Sequence, residues 1–93
     1  MTIVTYPGLG QEGNHVSMRD KLSEEIVELV VSQIADARKK KGLSHERVAE
    51  LSGLNRSTIS LIESSKRQPT LLSCIRICRA LGIKLSDLLA KSQ

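Results

Sequence analysis

The chain has 93 residues, a net charge of +4, 40% hydrophobic residues and one aromatic side chain, Tyr6. That length makes one small domain, and a core without aromatics has to be built from Leu, Ile, Val and Ala, which favours an all-α bundle. No apolar run approaches the ~20 residues of a membrane span, and no basic-then-apolar N-terminal segment marks a secretory signal, so the expected location is the cytoplasm.

Residues 1–16 alternate briefly at Thr2–Tyr6 and then break at Pro7, Gly8, Gly10 and Gly13. This is the pattern of an N-terminal arm, flexible or a short strand, with the domain proper over residues 17–93. Ser17 followed by Asp20 resembles a capping box and opens a helical pattern; Ser23 before Glu24 and Glu25 is a second start signal. This extended first helix runs to Lys41, acidic at its front and basic at its end (Arg38, Lys39, Lys40, Lys41), as the helix dipole prefers. Gly42 ends it. At 100° per residue its apolar positions cover more than half the circumference, whereas a helix lying on one core needs a stripe of only about 100°. The surplus, mainly Val27 and Val31, calls for a cover. The N-terminal arm is one candidate, and a subunit interface is the other and the favoured one.

Four shorter helices follow. Ser44 is placed to cap a second helix over residues 45–52, with Val48, Ala49 and Leu51 facing inward, and Gly53 suits a left-handed turn. Asn55 is placed to cap a third helix over 56–64, and Lys66 to Pro69 form a basic loop. Thr70 caps a fourth over 71–81 that Gly82 terminates, and a fifth covers 86–91 with Leu85, Leu88 and Leu89 as its apolar positions.

Cys74 and Cys78 stand one helical turn apart, and the histidines, His15 and His45, lie in other segments. Two thiols so placed read as small core hydrophobes, so neither a metal site nor a disulfide is expected. Nor does the chain show a nucleophile–base pairing or a glycine-rich phosphate loop. No catalytic residue and no cofactor is expected. Charge is divided along the chain. Residues 1–37 hold two basic against six acidic side chains, net −4, and residues 38–79 hold ten against three, net +7. A basic half beside an acidic half is the footprint of a polyanion binder, although charge alone equally fits a solvated surface.

The third helix sharpens that choice. With Arg56 at 0°, Ser60 falls at 40°, Ser57 at 100° and Leu61 at 140°, while Ile59 and Ile62 fall opposite, at 300° and 240°. The isoleucines mark the buried side, so Arg56, Ser57, Ser60 and Leu61 point outward together. An arginine grips guanine bidentately, serines bond to several base edges, and a leucine packs on a thymine methyl.

The segment carries a fixed set of spacings: Gly42-Leu43-Ser44, Val48-Ala49, Gly53, Glu63, Lys66-Arg67 and Pro69. With the apolar run Leu71, Cys74, Ile75, Ile77, Cys78, Leu81, Ile83, Leu85, Leu88 and Leu89, it resembles the phage repressor and Cro-type helix-turn-helix family over residues 33–89, with no insertion. The resemblance implies an all-α, five-helix, lambda-repressor-like DNA-binding domain whose third helix is the recognition helix. It places Arg56, Ser57, Ser60 and Leu61 at base-facing positions and Ser44, His45, Asn55, Lys66, Arg67 and Thr70 beside the phosphate backbone, with Ser44 and His45 also bracing the recognition helix. It also implies an ion pair between Arg38 and Glu63. Two positions depart from the pattern: Ser65 stands where a helix-ending Gly is usual, and Lys84 where a Ser or Asp caps the last helix.

The function implied is a transcriptional regulator that binds double-stranded DNA as a homodimer on a pseudo-palindromic operator. The length leaves no residues for an effector-binding domain, an economy similar to that of stand-alone phage repressors, restriction–modification controllers and antitoxin-type autorepressors. The competing reading is a protein-interaction module or antitoxin-type partner built on the same fold.

Overall fold

A computed structural model describes the backbone of residues 13–92 and the side chains of residues 22–92. Among these residues the secondary structure is five α-helices: α1 (Gly13–Lys40), α2 (His45–Ser52), α3 (Arg56–Glu63), α4 (Leu71–Leu81) and α5 (Leu85–Lys91). α1 is the spine. It contacts α3, α4 and α5, while α2 packs on α3 and α4.

Local chemistry sets most boundaries. The hydroxyls of Ser44 and Thr70 accept from the backbone N–H of Arg47 and Ser73, each at 3.0 Å, capping α2 and α4. At the end of α1, Leu43 N–H donates to the Arg38 carbonyl and Gly42 N–H to that of Lys39, with Gly42 at φ 68°. That is a Schellman motif, and Gly42 suits it because it has no Cβ to clash in the left-handed region. α4 closes the same way on Gly82.

α3 closes with the same pair of bonds, Lys66 N–H to Leu61 and Ser65 N–H to Ile62, but the left-handed residue is Ser65 at φ 62°. The departure read in the sequence therefore changes the residue and keeps the turn. Lys84, the other departure, leaves α5 without a side-chain cap.

The core is aliphatic, as the composition requires. Val30, Val31 and Ile34 of α1 meet Val48 and Ala49 of α2, Ile59 and Ile62 of α3, Ile77, Cys78 and Leu81 of α4, and Leu88 of α5. Cys74 and Cys78 are both buried and unbridged. Burial, and then the neighbouring Cys74, push the Cys78 thiol up to about 11, so it stays protonated and inert at neutral pH.

Three expectations need correction. α1 begins at Gly13 rather than at Ser17 or Ser23. A capping signal permits a helix start without enforcing one, and no proline interrupts the chain between Gly13 and Ser17. Residues 13–16 are therefore helix rather than arm, and residues 1–12 of the expected arm lie outside the described residues. Leu51 does not face inward but is 47% exposed. Ser52, one turn on from Val48, is buried instead, and its hydroxyl donates to Ala49 O and accepts from Leu54 N–H.

Val31 is the third. It is 4% exposed and sits in the chain's own core, so it offers no surface to a partner. α1 is packed by helices on more than one side, which buries a wider arc than a helix lying on a single layer. Val27, the other predicted interface residue, is half-buried beside Gln68 and Pro69 of the α3–α4 loop. Leu71, Ile75 and Leu89 of the apolar run are surface residues, 68%, 40% and 37% exposed.

Ser65 supplies a test. A non-glycine residue in the left-handed region costs about 1–2 kcal/mol, so Ser65→Gly is expected to raise the unfolding free energy by about 1 kcal/mol. Urea denaturation measures this, and a loss of stability would show that the Ser65 side chain holds the turn.

Candidate nucleic-acid interface

α3 is eight residues long, too short to be stable alone. Its orientation is imposed from both sides of its inner face. Ile59 and Ile62 are 0% and 1% exposed in the core. Beside them, Glu63 receives Arg38 of α1 in a two-pronged bond, Nε to Oε2 at 2.7 Å and Nη2 to Oε1 at 2.9 Å. The remaining prong of Arg38, Nη1, donates to the Leu43 carbonyl at 2.8 Å, which ties the α1–α2 turn into the same joint. The Arg38 and Glu63 side chains are 13% and 9% exposed. The ion pair implied by the resemblance is therefore present and nearly dry.

His45, at the start of α2, completes this joint. An ionised carboxylate only accepts, so the His45 Nε2–H donates to Glu63 Oε1, at 3.0 Å. The resemblance gives His45 a brace on the recognition helix as well as a phosphate contact, and one ring nitrogen is turned inward to bridge α2 and α3. Burial pulls the Glu63 carboxyl upward. The hydrogen bonds from Arg38 and His45 and then their charges outweigh it, leaving the group below its ordinary value of 4.5.

The outer face of α3 is as the wheel requires at its first turn. Arg56 and Ser57 are exposed, whereas Ser60 and Leu61 are half-buried. Asn55 precedes them with an exposed side chain that makes no capping bond, so the first amides of α3 and the Asn55 amide stay open to a ligand. Thr58, half-buried on the same helix, receives Arg67 Nη1 at 3.4 Å. That contact draws the basic loop toward α3, while Lys66 is exposed.

The remaining predicted backbone-holding residues have local duties as well. Ser44 accepts its capping bond but retains a hydroxyl proton to give. Thr70 both caps α4 and donates to Ser73 Oγ at 3.0 Å, so its hydroxyl is committed within the chain. The resemblance gives His45 its bracing role without naming Glu63 as the partner, and it does not give the Arg67–Thr58 contact. Neither contact has a local signature, because each joins residues far apart in sequence whose approach depends on how the helices pack. Among the described residues no three His, Cys, Asp or Glu side chains gather as a metal site.

A family model described as helix-turn-helix matches residues 34–88. The chain belongs to this family. The relatives that share it include HTH-type transcriptional regulators. The chain is 34% identical over 61 residues to the HTH-type transcriptional regulator PuuR of Escherichia coli, covering 66% of this chain and 33% of PuuR. The chain thus spans about a third of PuuR's length. It is 33% identical over 67 residues to control protein C.SmaI of Serratia marcescens, covering 72% of this chain and 80% of that one. Among solved structures, the restriction-modification controller protein C.AhdI from Aeromonas hydrophila superposes with a TM-score of 0.63 at 32% identity. That match covers 70% of this chain and 97% of C.AhdI. The helix-turn-helix unit is α2, the turn through Gly53, and α3.

The joint at Glu63 yields an acid-stability prediction. The carboxyl sits lower in the folded chain than its ordinary value. Its contribution is therefore complete above that value and is lost as pH falls through the lower, folded one. Wild type is expected to lose stability on acidification below pH 4.5 by more than Glu63→Gln does. At neutral pH, Arg38→Met is expected to cost about 3–5 kcal/mol, the cost of leaving a buried carboxylate unpaired. Chemical denaturation across pH checks both, and parallel pH profiles would contradict the first.

Proposed function

We propose that the protein is a sequence-specific transcriptional regulator that binds a pseudo-palindromic operator as a homodimer, with α3 in the major groove. The carrying observation is the division of α3. Ile59, Ile62 and Glu63 anchor one side, while Arg56 and Ser57 stand exposed at the N-terminal end, inside the segment of net charge +7. A recognition helix reads bases from its N-terminal residues.

In this reading Arg56, Ser57 and Ser60 reach base edges, and Leu61, half-buried, contacts a thymine methyl from the rim. Asn55, Ser44, Lys66 and Arg67 hold phosphates, which set register and affinity rather than sequence preference. Thr70 acts at this surface through the helix start that it caps. His45 braces α3 through Glu63 and, at the start of α2, lies beside the phosphate backbone. The names of C.SmaI and C.AhdI, a control protein and a controller protein, support a regulatory role. Among the described residues no helix is long and apolar enough to cross a membrane, and a regulator of this kind acts in the cytoplasm, where its DNA lies.

The second reading, a protein-interaction module of the antitoxin type, draws on the exposed leucines Leu22, Leu29, Leu71 and Leu72. Arg56→Ala separates the two. On the DNA-reading account it weakens operator binding by about 1–3 kcal/mol and relaxes base preference, leaving non-specific binding nearly intact. Lys66→Ala weakens binding to all sequences alike and lowers the salt slope by about 1. Titrations of operator and scrambled duplex across salt measure both effects. Unchanged operator binding in Arg56→Ala would favour the interaction module.

A further inference from the structure

Twenty-one residues of α1, Gly13–Gln33, precede the segment matched by the family. At 1.5 Å per residue α1 is about 42 Å long, close to the full 45 Å extent of the molecule. Along it, Leu22, Ile26, Leu29 and Gln33 follow each other at intervals of four, three and four, the spacing of a helix seam that packs on another helix. Gln33 meets α5, donating to Leu88 O and Ser92 Oγ. Above it the seam has no cover among the described residues: Leu29 is 50% exposed and Leu22 60%.

Beside this seam lies an open apolar groove of about 230 Å³ between α1 and the α4–α5 corner, lined by Ile26, Val30, Leu71, Cys74, Leu85 and Leu89. Ile75, one helical turn after Leu71 on α4, is also exposed. One face of the chain therefore carries both an unpartnered ridge and an apolar groove. The ridge and the groove also differ in charge at their edges. Glu25, one turn before Leu29, and Asp36, one turn after Ser32, flank the seam as exposed carboxylates. Arg79, one turn after Ile75, borders the α4 side as an exposed guanidinium.

We propose that this face is where a second copy of the chain docks, each copy seating Leu22 and Leu29 of α1 over Leu71, Ile75 and Leu89 of its partner. A two-fold interface must be self-complementary. Here the ridge and its acidic border lie on α1, and the groove and its basic border lie mainly on α4 and α5. Both are present in every copy, so a half-turn brings each onto its complement. The face also leaves DNA reading open. On the α1 wheel Val31, which shares a cleft with Ile62 of α3, stands half a turn from Leu22. Docking therefore occurs on the side of α1 turned away from α3, and both α3 helices remain exposed. The inference rests on the homodimer of the proposed function and adds its surface, including a helical extension that precedes the matched family segment.

The test uses the full chain in sedimentation equilibrium at micromolar concentration, with Leu22→Glu/Leu29→Glu as the main variant. Both leucines are at least half exposed, so helix content by circular dichroism and binding to a single half-site are expected to persist. Dimerisation is expected to weaken about a hundredfold, the effect of withdrawing two leucines from an apolar contact. Arg79→Glu is expected to weaken it less, with recovery when Glu25→Arg is added. An unchanged dimerisation constant in the leucine variant overturns this surface and leaves the homodimer standing. Wild-type chain that stays monomeric overturns both the surface and the homodimer reading. It would do so equally if the chain's own residues 1–12 covered the seam, and half-site binding would then still report on α3.

Discussion

The Arg38–Glu63 ion pair is the joint on which the rest of this small molecule is arranged. A guanidinium on the spine and a carboxylate on the last turn of α3 meet in two parallel bonds. The third prong of the guanidinium holds the α1–α2 turn at Leu43, and His45 brings in the start of α2. Four pieces of chain are therefore registered through one buried carboxylate. Such a pair is no guarantee of extra stability, because desolvating both charges offsets much of their attraction. Its value here is directional. Apolar contacts at Ile59 and Ile62 would tolerate small rotations of an eight-residue helix, and a bidentate pair does not.

From that joint the surface chemistry follows. With the inner side of α3 fixed, Arg56 and Ser57 have only solvent or a partner to face. Six of the ten acidic residues lie before residue 38, and the segment from Arg38 to Arg79 carries a net charge of +7. Thr58 and Arg67 then tie the following loop to the same helix, so the groups proposed to face bases and phosphates share one scaffold. This is a division of labour within a helix, with packing and buried charge on one side and exposed hydrogen-bonding groups on the other.

The parts of the fold legible in the sequence are those that depend on local rules. The caps at Ser44 and Thr70 and the left-handed turns at Gly42, Gly53 and Gly82 each need a particular residue at a particular place, so residue identity alone bounds α2 and α4. The Arg38–Glu63 pair is legible through the family spacing, not through periodicity. Features set by tertiary packing are less visible. A helical wheel gives the direction of Val31 but not how many neighbours surround α1, so a core residue reads as an interface residue. The bracing role of His45 is legible only through the family resemblance, and nothing in its own segment marks Glu63, eighteen residues away, as the partner. Gln33 reaches α5 in the same way, through how the helices pack. The start of α1 is misread from sequence because a good capping sequence is also compatible with the interior of a helix.

The central claim is that this joint presents α3 to the major groove. Dimethyl sulfate reacts with guanine N7, which lies in that groove, so the most direct measurement is a protection experiment on a duplex selected by the protein from random sequence. The account predicts guanines protected in two half-sites with centres about one helical turn, roughly 10 base pairs, apart, and loss of that protection when Arg56 is replaced by alanine. Selection that yields no preferred sequence, or a bound duplex whose guanines react at the rate of free DNA, would contradict it.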